Sequence, residues 1–593
     1  MKKWQVRGSA AAFLLLLMAV AGRVTAPVYY LNDDVTMRSI LSGACTGTPD
    51  GHAVYMKYPL TGLLAGLYRL TGKLGVSVPW FDLFLAGCVL LAGAGILAGC
   101  VEAAGEKRAG GRAAAALLGI LFFAGLFLPH YLYLHYTIVA AILAGGALFL
   151  WEAGPGRALP VLLLVLCYQV RSQVFYLALP FLLVAVLDRG LEAARRRSGN
   201  LAAGIPLAVL ALAVAVCWGV DRIGYGSEEW QSYREYNASR TSLYDYTDFL
   251  STDRYRERYE ELGLSLEQYQ VLAHYDTVLD QEIDARVLDR TVTRLAALRG
   301  EAAGEGYLRQ CLESYYRHVR YDGRPYSLVW AGGYGILLLL LAVHRRWDRL
   351  LLLGALLAGR SLIWVYLIAK GRFPERIWIS LYLMELCLLL GMTLRESAGS
   401  REAWGWSKNR WVRAGIVSLG LALLCMTAAV ELPRTAARAE EQQRKQAQWN
   451  LLTESLEAEE NTFYLMDVFS AVAYAGEVYK KDSEQIMLLG GWLTQSPLVA
   501  QRLAAYDASD GAQALLHGQV RLIAAGDRDI SWLEAYLAGR LGAVELKARE
   551  SVSCGEDMEF VIYQLEDKNA AYPECRALSC QKDGLFTANV EES

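Results

Sequence analysis

The chain has 593 residues, of which 54% are apolar and 20% charged, and its formal charge is −3. That near balance excludes a nucleic-acid binder held by bulk electrostatics. The apolar residues gather into runs of roughly 17 to 23, each long enough to cross about 30 Å of hydrocarbon. The expected class is a polytopic α-helical membrane protein with about eleven transmembrane helices and a small extracytoplasmic α/β C-terminal domain.

The first run, residues 10–28, follows Met1-Lys2-Lys3 and Arg7, and basic residues mark that side as cytoplasmic. It resembles a secretory signal, but Val24-Thr25-Ala26 is followed by Pro27, so we read it as a retained span. Residues 31–79 form the first outer loop, with an interfacial helix over 58–70 that is too short to cross. Further spans are expected at 80–101, 113–128, 137–151, 159–170, 174–187 and 201–220, which completes seven within residues 1–220. Lys107, Arg108, Arg112, Arg189, Arg195, Arg196 and Arg197 fall on the inner side of this arrangement. The 152–157 loop is neutral, so spans four and five also read as a re-entrant pair.

Residues 221–326 are a polar, helical, extracytoplasmic insert in which Ser265 and Gln268 form a capping-box pattern. Spans at 327–343, 350–369, 377–394 and 414–430 follow within residues 327–430. The N-terminus is then cytoplasmic, and the 431–593 tail lies outside the cell membrane. Strand-like stretches at 463–466, 486–489, 520–523 and 559–562 alternate with helices there and suggest a parallel sheet.

Asp33 and Asp34 emerge within a turn of the membrane surface, where ionisable groups are costly and usually functional. The alternative is that Asn32 or Asp33 caps a surface helix running to Ser42, with Gly43 as its stop and Asp34 and Arg38 as a surface pair. A second anomaly is the outer turn holding Lys370, Arg372 and Arg376 against one acid, Glu375. Outer turns disfavour cations, so these read as a phosphate cradle, joined by Arg171, or as snorkelling anchors. His130, Tyr133 and His135 share an outer turn, and His52 lies near Asp50. These are candidates for substrate contacts or for a divalent metal such as Mg or Mn, with ordinary structural hydrogen bonding as the rival. Tyr236, Arg240 and Tyr244 of the insert would contact sugar or pack the insert on the membrane. Arg360 and Glu385 each lie about nine residues, roughly 13 Å, below the same turn, which predicts a structural ion pair. Cys554, Cys575 and Cys580 allow a bridge within the tail.

A first span ending in paired acids, an interfacial first outer loop, about eleven spans and a soluble outer tail together resemble the GT-C superfamily of membrane glycosyltransferases. The resemblance covers the architecture and about the first sixty residues. It implies transfer of a sugar, with inversion, from a polyprenyl-phosphate carrier to a cell-envelope glycan or lipid at the outer face of the membrane. It also implies a general base at Asp33 or Asp34. Adjacent helical residues point about 100° apart, and Arg38 at i+4 would weaken Asp34 as a base, which favours Asp33. The oligosaccharyltransferase signature W-W-D-Y-G is absent, and the insert has no counterpart in the pattern. A lipid-linked glycan polymerase or ligase with its chemistry in the insert is a second expectation, and a non-catalytic scaffold or transport protein a third.

Overall fold

The computed structural model describes residues 3–104, 109–154, 156–195, 201–247, 249–251, 253–300, 306–399, 410–459, 461–474, 476–480, 482–555 and 558–568. Helix α1 (Lys3–Val24) leads through strand β1 (Val28–Tyr29) to α2 (Asn32–Ser42) and α3 (Tyr58–Lys73). Then come α4 (Trp80–Ala103), α5 (Ala109–Leu126), α6 (Leu128–Leu132), β2 (Tyr133–Leu134) and α7 (Tyr136–Ala153). They are followed by α8 (Ala158–Val170), α9 (Ser172–Arg195) and α10 (Leu201–Gly224). The insert contains α11 (Glu228–Tyr246), α12 (Leu266–His274), α13 (Ala285–Gly300) and α14 (Tyr307–Arg317). The bundle resumes with α15 (Tyr326–Val343), α16 (Trp347–Ala369), α17 (Glu375–Gly399) and α18 (Arg410–Glu457).

Among the described residues, 10 helical segments are long and apolar enough to cross a membrane, which makes this a multi-pass helical protein. The eleventh expected span is α8. It has 13 residues, about 20 Å at 1.5 Å per residue, too short to cross alone. The chain breaks at Arg171, which is extended with φ −154°, and restarts as α9 at Ser172. Its freed backbone is partly reused, because Lys57 N–H donates to Gln169 O at 2.8 Å.

Helix α7 is the axis of the bundle, and every residue from Tyr136 to Glu152 is buried. Two adjacent glycines permit this. A Cβ on Gly145 would lie 2.8 Å from Cys387 Sγ of α17, and one on Gly146 would lie 2.9 Å from Ala92 Cβ of α4. At the end of the bundle away from α2, buried charges cross-link four helices. Arg349 of α16 meets Asp188 of α9 at 2.8 Å, Arg395 of α17 meets Glu152 of α7 at 2.7 Å, and Arg349 also bonds Glu396. Nearer α2, Arg360 Nε lies 3.1 Å from Glu385 Oε2, so the pair inferred from depth counting is formed. Tyr334 donates to the other oxygen of Glu385 at 2.7 Å, and the Arg360 guanidinium sits 3.9 Å from the Trp364 ring centroid.

After α18 the tail continues with β3 (Phe463–Met466), α19 (Val468–Ala471), β4 (Ile486–Leu488), α20 (Pro497–Ala504) and α21 (Gly511–Ala514). It ends with β5 (Val520–Ala525), α22 (Ser531–Leu541), β6 (Val544–Ser553) and β7 (Glu559–Asp567). The sheet order is β4-β3-β5-β7-β6. Strands β4, β3 and β5 are parallel, but β7 is antiparallel to both β5 and β6, so the sheet is mixed rather than parallel. The reason is local: β6 and β7 form a hairpin, with no helix between them to return the chain. The insert and the tail share one apolar cluster, with Leu243, Tyr269 and Leu288 of the insert beside Leu465, Leu522 and Trp532. Cys554 is a free, buried thiol, and Cys575 and Cys580 lie outside the described residues, as do Lys107, Arg108, Arg196 and Arg197.

Candidate functional site

The site is organised around the first turn of α2. Leu31 before it is extended, and no side chain caps the helix, so neither aspartate serves as its N-cap. Gly43, at φ 96°, closes the helix through N–H bonds to Ile40 O and Ser39 O, as the Ser42–Gly43 pattern suggests. Just before the helix, β1 pairs in parallel with β2, which holds Tyr133 and Leu134 beside Val28 and Tyr29.

The two acids differ in environment. Asp34 is fully buried. Its Oδ1 accepts the Tyr136 N–H at 2.9 Å, and its Oδ2 lies 3.4 Å from His135 Nδ1. Burial raises the Asp34 carboxyl well above the usual range and holds His135 well below it, so each is shifted toward its neutral form. Asp34 thus fastens α2 to the start of α7. Asp33, half-buried, faces a cavity. Burial raises its carboxyl too, while Arg376, Arg171 and Arg240 pull it back toward the charged form.

Arg38 does not serve Asp34. Its Nη2 and Nε meet the two oxygens of Asp482 at 2.5 and 3.0 Å, and its Nη1 donates to Glu477 O at 2.6 Å. The same guanidinium lies 3.7 Å from Asp82 of α4, which accepts from Tyr29 Oη and, at 3.0 Å, from Tyr479 N–H. The i,i+4 surface pair is therefore replaced by a buried clamp joining α2, α4 and the tail. The partner at 482 is invisible to local spacing.

The cavity measures about 1750 Å³. Of the residues selected from sequence it brings together Asp33, Arg171, Arg240, Lys370, Arg372 and Arg376. These come from four separate segments of the chain. Arg171 lies over the rings of Tyr55 at 4.9 Å and Tyr136 at 5.2 Å, and its buried Nη1 has no hydrogen-bond partner among the described residues. Arg240 is buried and held by neutral groups: Asn237 Oδ1 at 2.9 Å, Tyr275 Oη at 2.5 Å and Tyr55 Oη at 3.3 Å. Arg372 is already paired with Asp245 at 2.5 Å, and Lys370 is exposed beside the Tyr366 ring. Glu375 is engaged by Tyr30 at 3.3 Å and Arg438 at 3.2 Å, and among the described residues Arg376 has no ion pair. The cations best placed for an incoming anion are accordingly Arg171, Arg376 and Arg240.

The other candidates lie away from the cavity. His52 is clamped by Asp50 at 2.6 Å and Gly224 O at 3.0 Å, and it stacks on Trp230. His130 bonds Tyr326 Oη at 3.0 Å. Tyr133 packs edge-on against Tyr30, Tyr236 lies in the core shared by insert and tail, and Tyr244 Oη donates to Leu272 O. Each of these five is engaged in a turn or a packing contact of its own. Among the described residues no group of three or more His, Cys, Asp or Glu is arranged to hold a metal ion. Asp33 stands among Arg171, Arg240 and Arg376, and Asp245 is already paired with Arg372, so this donor set does not fit a divalent cation. Sequence reading missed Tyr55, Asp245 and Tyr275, which also line the cavity. Asp245 carried a signal, as an acid inside the tyrosine-rich piece of the insert.

Comparison with protein-family models, with curated proteins and with solved structures finds no match to this chain. Its function is therefore argued from its own residues.

Proposed function

We propose that this chain is a GT-C-type glycosyltransferase that transfers a sugar from a polyprenyl-phosphate carrier to a cell-envelope glycan or lipid, with inversion. One observation carries the reading: a single cavity holds the Asp33 carboxyl among three arginines, Arg171, Arg240 and Arg376, with Asp245 already paired to Arg372, at the level where spans α9, α16 and α17 end. The cavity wall continues onto the apolar residues Val174, Leu177, Leu367 and Ile377 of those spans. A ligand with an anionic head and a hydrocarbon tail matches that division.

In this reading residues 1–220 and 327–430 form the membrane body, with residues 31–79 as the catalytic loop. The 221–326 insert and the 431–593 tail lie outside the cell, and the N-terminus lies inside. The acceptor hydroxyl attacks the anomeric carbon and gives its proton to the Asp33 carboxylate. The bond from that carbon to the phosphate oxygen breaks, and its electron pair leaves with the lipid phosphate. Arg171 and Arg376 face the charge that develops there, and Arg240 supports them from the insert. A cation about 4 Å from that oxygen, at an effective dielectric near 20, supplies roughly 4 kcal/mol. That corresponds to about a thousandfold in rate if it acts only in the transition state.

Asp33→Asn tests the assignment. Asn is nearly isosteric and cannot take the proton, so glycan product should fall to background while the protein inserts normally. An active Asp33→Asn enzyme would remove Asp33 as the base. Arg376→Lys should lower donor use at least tenfold, because it loses the fork that fits phosphate oxygens. A second reading, a lipid-linked glycan polymerase or ligase, draws on Arg240, an insert residue within the cavity. It predicts that Arg240→Lys shortens the product chains, rather than only slowing a single transfer.

A further inference from the structure

Beyond Asn32, the cavity has a second arm lined by one face of α18 and by Ala471, Val472, Tyr474, Gly476, Glu477 and Lys480. Gln446, Trp449, Asn450 and Thr453 line it at i, i+3, i+4 and i+7, which is one face of α18. Opposite them stand Tyr474 and Glu477. The Trp449 and Tyr474 rings form a corner with centroids 5.1 Å apart.

The polar groups here are linked in series. Gln446 Nε2 donates to Asn450 Oδ1 at 3.1 Å, and Asn450 Nδ2 donates to Glu477 Oε1 at 3.2 Å. Lys480 neutralises Glu477 at 2.8 Å. Two polar atoms are left over, an amide oxygen and a phenolic hydroxyl. Gln446 Oε1 and Tyr474 Oη are buried with no hydrogen-bond partner among the described residues, and each residue is only 6% exposed. Buried polar atoms are seldom left unpaired, so unpaired ones lining a cavity point to a ligand that completes them.

The ligand chemistry follows from what is present and what is missing. Around Trp449 the wall is built of amides, a phenol and an indole, with Glu477 balanced by Lys480, Asp482 by Arg38, and Glu457 one turn further along the same face. An anion would find no free cation there, because Arg38 is held by Asp482 and Asp82 and Lys480 by Glu477, while Arg171, Arg240 and Arg376 gather around Asp33. Closely spaced hydroxyls suit amides that both donate and accept, and the apolar face of a pyranose ring suits an indole. We propose that this arm binds a neutral carbohydrate, the acceptor glycan of the transfer proposed above, on which this assignment rests. It separates the two substrates, with the anionic lipid donor at the arginine end and the neutral acceptor at the Trp449 end. Asp33 lies next to Asn32 between them.

The rival occupant is an extended peptide. Strand β4 is an edge strand and lines the same arm, so a peptide could pair with its backbone. Such binding would not depend on the Gln446 or Trp449 side chains.

The test is saturation-transfer NMR on the full chain in lipid nanodiscs, without donor. The probes are cellotetraose, maltotetraose, mannotetraose and chitotetraose, against a neutral decapeptide. At least one tetrasaccharide should receive saturation. Gln446→Leu and Trp449→Ala should each weaken its binding at least tenfold, and Trp449→Phe, which keeps a ring, should recover most of the loss. Monodispersity of each variant in gel filtration separates lost binding from lost folding. No tetrasaccharide binding, or binding unmoved by both variants, overturns the proposal, as does binding of the decapeptide alone. An Asp33→Asn protein that still transfers sugar would refute the catalytic reading while this binding result stood, so the two failures are distinguishable.

Discussion

The Arg38 clamp makes a prediction in which the order of two effects matters more than either size. Arg38 serves Asp482, Asp82 and the Glu477 carbonyl at once. Arg38→Met strands both carboxylates, and Asp82 has no exposed surface through which water could compensate. Removing one partner of a buried pair costs about 3–5 kcal/mol, and we expect about 4 here. Asp482→Ala is milder. Its carboxylate side chain is 13% exposed, and Arg38 keeps Asp82 and the Glu477 carbonyl, so about 2 kcal/mol is expected. The difference of about 2 kcal/mol is more than tenfold in an opening equilibrium. Hydrogen exchange reads it directly, since the Tyr479 N–H is held by Asp82 and becomes free when the loop lifts. Peptides covering residues 476–480 should exchange more than tenfold faster in Arg38→Met than in Asp482→Ala. Equal rates, or a faster Asp482→Ala, would refute the shared-cation reasoning.

Three further outcomes are expected. Glu385→Leu should lower the amount of folded protein sharply, since it leaves Arg360 buried without its acid at a cost of about 3–5 kcal/mol. Arg360→Leu combined with it should restore most of that amount in fluorescence-detected gel filtration, and no recovery would argue against the pair. Asp276, buried beside Asp467, has its carboxyl raised well above the ordinary 3.8, first by burial and then by that neighbour. Above about pH 4 the unfolded chain therefore binds fewer protons than the folded one, and stability falls as pH rises toward the raised folded value. Asp276→Asn, which can still accept the Val468 N–H, should flatten the melting temperature against pH and raise it at neutrality; an unchanged pH profile would contradict this. Finally, a cysteine at exposed Ser531 should label in intact cells and one at exposed Ser397 only after permeabilisation, and the reverse pattern would invert the proposed orientation.

The features legible in the sequence were those fixed by local patterns. Apolar runs gave the spans, Ser265 and Gln268 gave the capping box seen at α12, and depth counting gave Arg360 with Glu385. Charge anomalies gave the basic turn, and three of its neighbours in the cavity followed from residue type alone. What stayed hidden depended on distant partners. Arg38 looked like the mate of Asp34 because position 482 lies far along the chain. Strand β6 was missed because its middle, Lys547 to Ser551, is polar and largely exposed at a sheet edge, with no apolar alternation to betray it. His52, His130 and His135 attracted attention as reactive side chains, yet each satisfies a nearby hydrogen-bond need. Adjacent Asp33 and Asp34 do meet different surroundings, as the helical angle implies, but Arg38 is not what distinguishes Asp34: the Tyr136 N–H holds that carboxyl, while Arg38 is engaged by Asp482.

Helix α18 imposes a phase rule on the chain. It runs unbroken for 48 residues, about 72 Å, with Pro433 inside it. Its first half is fixed at Gly125, where a Cβ would meet Ala428 N at 3.2 Å, and its second half carries Gln446, Trp449 and Asn450 into the cavity. The rotational setting of the span therefore dictates which side chains form the cavity wall some 27 Å further on. Deleting one residue between Arg434 and Glu441 would turn that wall by about 100° and shift it by about 1.5 Å, swinging Trp449 out of the cavity without altering a single residue that lines it. Deleting seven would bring the rotation back to within about 20° but draw the wall down by roughly 10 Å. Length in this stretch is thus as constrained as residue identity in the site it serves.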